Sequence, residues 1–188
     1  TESLSVLDHQ LLLAINELTG NSLLDSAMML FSTKWIWLPL YAYLAFRLYT
    51  RFGLTNLLWI CIAAASLVTL TDQISVHLFK EVFMRLRPCH DPVLADHLFL
   101  VTGKCGGQFG FVSSHATNVF GLAGFITVLL CQYSSWWGLM WVWASVVSFS
   151  RVYLAVHYPS DIICGGLVGA AIGIGLAVLL KRLINNKP

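Results

Sequence analysis

The segment at residues 150–161, SRVYLAVHYPSD, contains the residue types from which a catalytic site can be built. It holds Arg151, His157 and Asp161 between two long apolar segments without charged side chains. Ionisable groups at the ends of membrane-length apolar segments are costly to keep there, so they often mark a functional site. His157 can act as a base or nucleophile near neutral pH, and Asp161 is spaced to fix its tautomer. The alternative is an interfacial turn whose charged side chains extend to water.

Two other polar clusters in the sequence could meet this segment. In the first, Lys80 and Arg87 would share one side of a helix and converge on one anion, or else form a basic helix end against lipid head groups. In the second, Ser113 and Ser114 precede an apolar segment, where serines are typical helix N-caps. The free N–H groups at such a helix start also bind phosphate. His115, in the first turn, is placed to donate a proton to a leaving oxygen.

Together, these three segments contain the functional groups that phosphoryl transfer requires. Cations and N–H groups would hold the phosphate oxygens, one histidine would attack in line, and the other would protonate the leaving group. Asp161 is best used as the partner of His157. No Cys/His set has zinc spacing and no acidic cluster suits magnesium. We therefore expect chemistry without a metal or other cofactor.

The composition indicates a membrane protein. The 188 residues are 57% hydrophobic and 11% charged, and the mean hydropathy is +0.75. This is far too apolar for a soluble globular protein. The length indicates one domain covering residues 1–188. A net charge of +2 gives no reason to expect nucleic acid, and no obligate protein partner is evident, so the expected partners are the bilayer and a lipid substrate.

Hydrophobic periodicity predicts an all-α integral membrane bundle. Residues 4–18 have the spacing of an amphipathic helix lying on the membrane, and a short apolar segment follows at 23–31. Residues 1–33 are therefore predicted to be interfacial, and residues 34–184 to form the transmembrane core. About five spans are expected, at residues 35–50, 55–79, 113–132, 136–155 and 159–180.

Alternation of these spans brings the three polar clusters to one face of the membrane. Cys89 and Cys105 lie in the long polar interval 81–111 on that same face. A disulfide between them would require an oxidising compartment and would place the interval outside the cytoplasm. Basic residues occur on both sides, so the positive-inside rule decides little. We expect a bacterial-type inner membrane protein whose site faces the periplasm or exterior.

The three motifs, K-x6-RP, S-x-H and SR-x5-H-x3-D, resemble those of the type 2 phosphatidic acid phosphatase family, which is related to the vanadium haloperoxidases. The resemblance covers roughly residues 72–180. It implies that His157 is the nucleophile forming a phosphohistidine, with Asp161 orienting it and His115 as general acid. It also implies that phosphate is bound by Lys80, Arg87, Ser113, Ser114 and Arg151. The family usually has PSGH where this chain has VSSH, so Ser114 replaces a glycine.

The expected function is therefore hydrolysis of a lipid phosphate or pyrophosphate. Undecaprenyl pyrophosphate, lipid A phosphate and phosphatidate-type lipids all present a phosphate at head-group depth. One alternative is a phosphotransferase that passes the group from His157 to a lipid hydroxyl. Another is a non-catalytic protein that binds anionic lipid, which would leave the histidines and Asp161 without a role. The other four histidines are assigned no catalytic role: His9, His77, His90 and His97.

Overall fold

The computed structural model describes residues 2–185, and the side chains of residues 5–184. These residues form helices and contain no β-strand, apart from one isolated antiparallel bridge between Leu86 and Phe109. The all-α prediction is confirmed. The helices are α1 (Glu2–Asn16), α2 (Ser22–Ser32), α3 (Leu38–Gln73), α4 (Glu81–Phe83), α5 (Ser114–Leu130), α6 (Leu139–Tyr153) and α7 (Pro159–Asn185).

The two predicted N-terminal helices are present as α1 and α2. Gly20, at φ +92°, lies in the turn that separates the two helices. Asn21 caps α2 by accepting hydrogen bonds from the backbone N–H groups of Leu23 and Leu24. Part of the apolar face of α1 packs on protein, because Leu12 is fully buried against the α6–α7 turn and the loop between α4 and α5 (residues 84–113, called the outer loop below). The helix that the sequence places on the membrane surface is therefore also docked on the bundle.

The predicted spans at 35–50 and 55–79 correspond to two arms of one long helical segment. Gly53 interrupts α3 with φ 74° and ψ 173°, a conformation that glycine adopts readily and other residues rarely do. Within the described part of the chain, Lys34–Phe83 and Pro159–Ile184 are the helical stretches long and apolar enough to cross a membrane. This finding does not establish the number of crossings, so the predicted total of five spans stays a prediction.

The end of the long segment differs from the predicted helix through Lys80 and Arg87. The helix widens into a π-helical stretch at Ile74–Lys80, and α4 then stops at Met84, which has a left-handed φ of 44°. Arg87 follows in an extended conformation, as expected for a residue before proline. The prediction that one helical face brings Lys80 and Arg87 together is wrong. The chain leaves the helix at Met84, and Arg87 still lies close enough to act electrostatically on Lys80.

At the centre of the bundle α5 packs against α7. A Cβ on Gly165 would lie 2.9 Å from the Ser113 carbonyl oxygen, and Gly169 and Gly173 have no room for a Cβ against the backbones of Thr117 and Gly121. These glycines recur at every fourth residue, a spacing that allows close helix packing. Because the two helices touch along their backbones, their N-terminal ends lie side by side. Those ends carry the predicted catalytic residues.

Candidate active site

His157 and Asp161 form a buried pair at the start of α7. The His157 Nδ1 lies 3.2 Å from Asp161 Oδ2, and the Tyr158 backbone N–H donates to the same oxygen at 3.0 Å. An ionised carboxylate can only accept a hydrogen bond, so Nδ1 carries the hydrogen and Nε2 keeps its lone pair. Asp161 lies in the first turn of α7, where the helix dipole stabilises a negative charge. The predicted orienting contact is present.

Burial sets the protonation state of His157. Its side chain is 2% exposed, and this desolvation lowers the pKa of His157 to about 4, although Asp161 acts in the opposite direction. A histidine with this pKa is neutral at pH 7. The free lone pair on Nε2 is therefore available as a nucleophile over the physiological pH range.

Three cations converge near this pair. Arg87 Nη1 lies 3.3 Å from His157 Nε2 and donates to the Val156 carbonyl oxygen at 3.2 Å. Lys80 Nζ donates to Ser114 Oγ at 2.7 Å. Arg151 Nη1 donates to the hydroxyl of Ser32.

None of these three cations forms a salt bridge with a carboxylate among the described residues. The Nε atoms of Arg87 and Arg151 are also buried without a hydrogen-bond partner in that part of the chain. Buried charges are normally paired, because leaving them unpaired is costly. The cluster therefore has the electrostatic character of a binding site for an anion.

His115 occupies the first turn of α5, next to these cations. Lys80, Arg87, Arg151 and His157 all lie close enough to act electrostatically on its imidazole. Ser114 accepts from Lys80 and is also hydrogen-bonded to Ser75, with the two hydroxyl oxygens 2.6 Å apart. The structure thus brings both histidines, Asp161 and the three cations to one end of the bundle.

Ser113 is placed differently from the other predicted phosphate ligands. It is fully buried, and its hydroxyl accepts from the Ala116 N–H at 3.5 Å as the N-cap of α5. Its own N–H donates to the Asp161 carbonyl oxygen at 3.1 Å. Ser113 therefore joins the starts of α5 and α7, the capping alternative raised by the sequence. Its contact with phosphate stays a prediction.

Asp8 and Arg85 belong to this region but were missed as site residues. Arg85 bridges two carboxylates, with Nη1 3.0 Å from Asp161 Oδ1 and Nη2 2.7 Å from Asp8 Oδ2. The motif R-L-R-P gave a partial signal, because it places a second arginine beside Arg87. No local pattern marks Asp8, since its partners are far away in sequence.

The remaining histidines lie outside the cluster. His77 is exposed and is hydrogen-bonded to Gln73 and Glu81, while His90 and His97 are exposed in the outer loop. His9 stacks on the ring of Tyr158, with centroids 5.5 Å apart. It therefore contacts the turn that carries His157, an arrangement the sequence did not indicate.

A disulfide joins Cys89 to Cys105 and closes the outer loop beside the site. Within this loop the Arg87 N–H donates to the Gln108 carbonyl oxygen at 3.0 Å, and the Gly110 N–H donates to the Arg85 carbonyl oxygen at 2.9 Å. A Cβ on Gly110 would lie 3.1 Å from Asp161 Oδ2. The loop thus holds Arg87 beside the turn that carries His157.

Removing this disulfide is expected to weaken the binding of phosphate more than the chemistry. Closing a loop of this length stabilises the fold by about 3 kcal/mol in the chain-entropy model. Cys89→Ser should lower Tm and raise KM, because Arg87 loses its restraint, while kcat changes less. Thermal unfolding and steady-state kinetics in detergent measure these effects. Cys131→Ser, which changes an exposed free cysteine, is the matched control. An unchanged Tm and KM in Cys89→Ser would contradict the role given to the loop.

At one end of a bundle of apolar helices, the described residues place two histidines, an aspartate and three cations without a carboxylate partner, which are the groups that a membrane phosphatase needs. The model of the PAP2 superfamily matches residues 56–185, and the chain belongs to this superfamily. The family predicted from the motifs is confirmed, and the protein is accordingly an enzyme, a phosphatase that is integral to a membrane.

Individual relatives agree with this assignment. The chain is 37% identical over 171 residues to a lipid A 4'-phosphatase of Bacteroides thetaiotaomicron, covering 89% of this chain and 74% of that protein. It is 36% identical to a protein of the same name from Porphyromonas gingivalis, covering 80% of this chain and 64% of the relative. An undecaprenyl-diphosphatase of Sulfolobus acidocaldarius is 30% identical, covering 74% of this chain and 61% of the relative.

The fold is also similar to that of a solved structure. A PAP2 type phosphatidylglycerolphosphate phosphatase from Bacillus subtilis superposes with a TM-score of 0.66 at 20% identity. The match covers 100% of this chain and 89% of the other. The two proteins therefore share the architecture of the bundle.

Proposed function

We propose that the protein is a metal-independent lipid phosphatase that works through a phosphohistidine on His157. The observation that carries this proposal is a set of three cations that have no carboxylate partner among the described residues and that surround a buried, neutral histidine. Such a set attracts an anion with several oxygens, and phosphate fits because each cation can hold a different oxygen. Arg87 Nη1, now near Nε2 of His157, would turn to a phosphate oxygen and release the lone pair.

The reaction then has two balanced steps. In the first, His157 Nε2 attacks phosphorus and the bond from phosphorus to the lipid oxygen breaks. His115, which takes up a proton when the bound phosphate offsets the surrounding cations, gives that proton to the lipid oxygen. The dephosphorylated lipid leaves, or a lipid monophosphate if the substrate is a pyrophosphate. In the second step water attacks phosphorus and His115 accepts a proton. The P–N bond breaks, which releases phosphate and restores neutral His157.

The cavity beside His115 supports a lipid as substrate. It has a volume of about 600 Å³ and is lined mainly by apolar side chains of α3 and α5. Leu44, Ile60 and Ala64 are among the lining residues, and His115 belongs to the same lining. A lipid could therefore place its phosphate among the cations while its hydrocarbon chain follows the cavity.

Among lipids we place lipid A phosphate first, ahead of undecaprenyl pyrophosphate and phosphatidate-type lipids. Two relatives with 36–37% identity are named lipid A 4'-phosphatases, which supports this order. We further infer five membrane crossings, one domain over residues 1–188, and a site facing outward from an inner membrane. The Cys89–Cys105 disulfide supports the outward orientation, because disulfides persist in oxidising compartments.

Phosphate release from purified lipids tests this function. The panel would contain lipid A, undecaprenyl pyrophosphate, phosphatidate and a short-chain soluble phosphate monoester, each assayed in detergent. We expect a lipid to be hydrolysed with a much higher kcat/KM than the soluble ester. Equal rates on all four compounds would contradict the lipid assignment. Phosphate appearing on a second lipid instead of in solution would indicate a phosphotransferase.

Activity is expected to be independent of divalent metal. The cations and the helix N-terminus supply the positive charge that a metal would otherwise provide, so EDTA should change kcat/KM by less than about twofold. Vanadate should inhibit, because it adopts the five-coordinate geometry of the transition state. Titration of both reagents against phosphate release measures these effects. Loss of activity in EDTA that magnesium restores would contradict the proposed chemistry.

A further inference from the structure

We propose that α1 positions the catalytic pair through Asp8 and Arg85: Asp8 holds the guanidinium of Arg85, and Arg85 holds Asp161 in the orientation that serves His157. Both are positioning residues, because they act on the substrate through Asp161. The proposal rests on the proposed role of His157. It assigns a catalytic purpose to the docking of the N-terminal helix.

The first step of the argument is the way Asp161 uses its two oxygens. Oδ2 accepts from His157 and from the Tyr158 N–H, whereas Oδ1 accepts from Arg85 Nη1 at 3.0 Å. Asp161 is fully buried. Without Arg85, Oδ1 would lose this donor in a place that water does not reach, and the carboxylate could rotate away from His157.

The second step is the way Arg85 is itself held. Its Nη2 donates to Asp8 Oδ2 at 2.7 Å, and its Nη1 also donates to Ser160 Oγ at 2.6 Å. The guanidinium lies over the ring of Tyr158, 4.1 Å from the centroid. The planar guanidinium of Arg85 is held at both amino groups and on one face, so it has little freedom to move. It therefore couples the position of the Asp8 carboxylate to that of the Asp161 carboxylate.

The third step links α1 to the start of α7. Asp8 is 4% exposed, and its Oδ1 accepts the Ser160 backbone N–H at 3.0 Å across 152 residues of sequence. The Ser160 hydroxyl also donates to this carboxylate. Asp8 therefore caps α7 from outside that helix, and it does so in the turn that contains Asp161.

This arrangement also predicts how the charges of Arg85 and Asp8 affect the protonation of His157. Arg85 Nη1 donates to Asp161 and Arg85 Nη2 to Asp8. Removing the guanidinium charge leaves a less compensated negative charge beside His157 and favours its protonated form. Removing the Asp8 charge leaves a less compensated positive charge and disfavours that form. Other titratable and charged groups also surround His157 and Asp161. They are Asp8, His9, Lys80, Arg85, Arg87, Asp91, His115, Arg151, Tyr158 and Cys164.

The test compares Arg85→Gln and Asp8→Asn in the full-length protein. Each should lower kcat by about 10- to 100-fold with a smaller change in KM, the range seen for partners that orient a metal-bound histidine. The pH at which kcat/KM falls on the acid side of its profile (the acid limb) should rise by about one unit in Arg85→Gln and should fall in Asp8→Asn. Arg85→Lys, which retains the charge, should keep the wild-type limb. A loss of folding would not produce opposite shifts.

Asp25→Asn is the matched control for helix docking. Asp25 lies on α2 and accepts from the Tyr153 hydroxyl at 2.7 Å, with no hydrogen bond or salt bridge to Asp161. It should leave the pH profile unchanged. Unshifted limbs in both test variants, or the same shift in Asp25→Asn, would overturn the proposal. If one of the two test variants does not fold, the acid limb of the other variant tests the proposal. Phosphate release by the wild type and its loss in His157→Ala test the proposed function separately.

Discussion

Replacing His157 with alanine is expected to lower phosphate release by about 10⁴-fold or more on every substrate. In the proposed mechanism this residue forms the bond to phosphorus, so no neighbouring group can compensate for its loss. The fold should persist, because Asp161 keeps its contacts with Arg85 and with the Tyr158 N–H. Phosphate release and size-exclusion chromatography in detergent measure the two expectations.

The exposed His77 provides the control for this substitution. His77→Ala removes an imidazole whose hydrogen-bond partners are Gln73 and Glu81, outside the cation cluster, and should retain wild-type kcat. A rapid quench with ³²P-labelled substrate should trap acid-labile, base-stable phosphoprotein in the wild type and none in His157→Ala. More than trace turnover by a folded His157→Ala protein would contradict the mechanism.

Replacing His115 with alanine should have an effect that depends on the leaving group. Without a general acid the lipid oxygen must leave as an alkoxide, so kcat on a lipid monophosphate is expected to fall by about 10²–10⁴-fold. An aryl phosphate such as p-nitrophenyl phosphate has an acidic leaving group that needs no proton, so its hydrolysis should fall much less. The ratio of the two losses is the quantity to measure.

His97→Ala controls for this comparison, because His97 is exposed in the outer loop. It should leave both rates unchanged. Equal losses on the lipid and the aryl phosphate in His115→Ala would assign His115 to phosphate binding instead of proton transfer. Loss of the aryl activity alone would contradict the assignment altogether.

The sequence predicted the parts of the fold that depend on local composition. Apolar segments and a polar interval are sufficient to locate the helices, and the motif spacings identify His115, His157 and Asp161. The path between Lys80 and Arg87 was not predictable in this way, because it depends on a left-handed conformation at one residue, Met84, whose side chain does not favour it.

The contact of Asp8 with Arg85 was not predicted from the sequence, for a different reason. The two residues are 77 positions apart, and an aspartate in an amphipathic helix is usually solvated. Only the docking of α1 on the bundle turns it into a buried partner. Long-range ion pairs of this kind leave no periodic signal in a sequence.

The glycine contact between α5 and α7 has a mechanical consequence. Gly169 and Gly173 leave no compressible side chains between the helices, so the two cannot tilt independently and the spacing of the histidines at their ends is stiff. On the other side of α5 lies the cavity against the bent α3, where compliance is greater because less material fills the space. In the proposed function, the stiff α5–α7 contact carries the reacting groups and the cavity beside α3 takes the hydrocarbon. Lipid tails of different length and branching could then be accommodated in the cavity without moving His115 and His157 relative to each other.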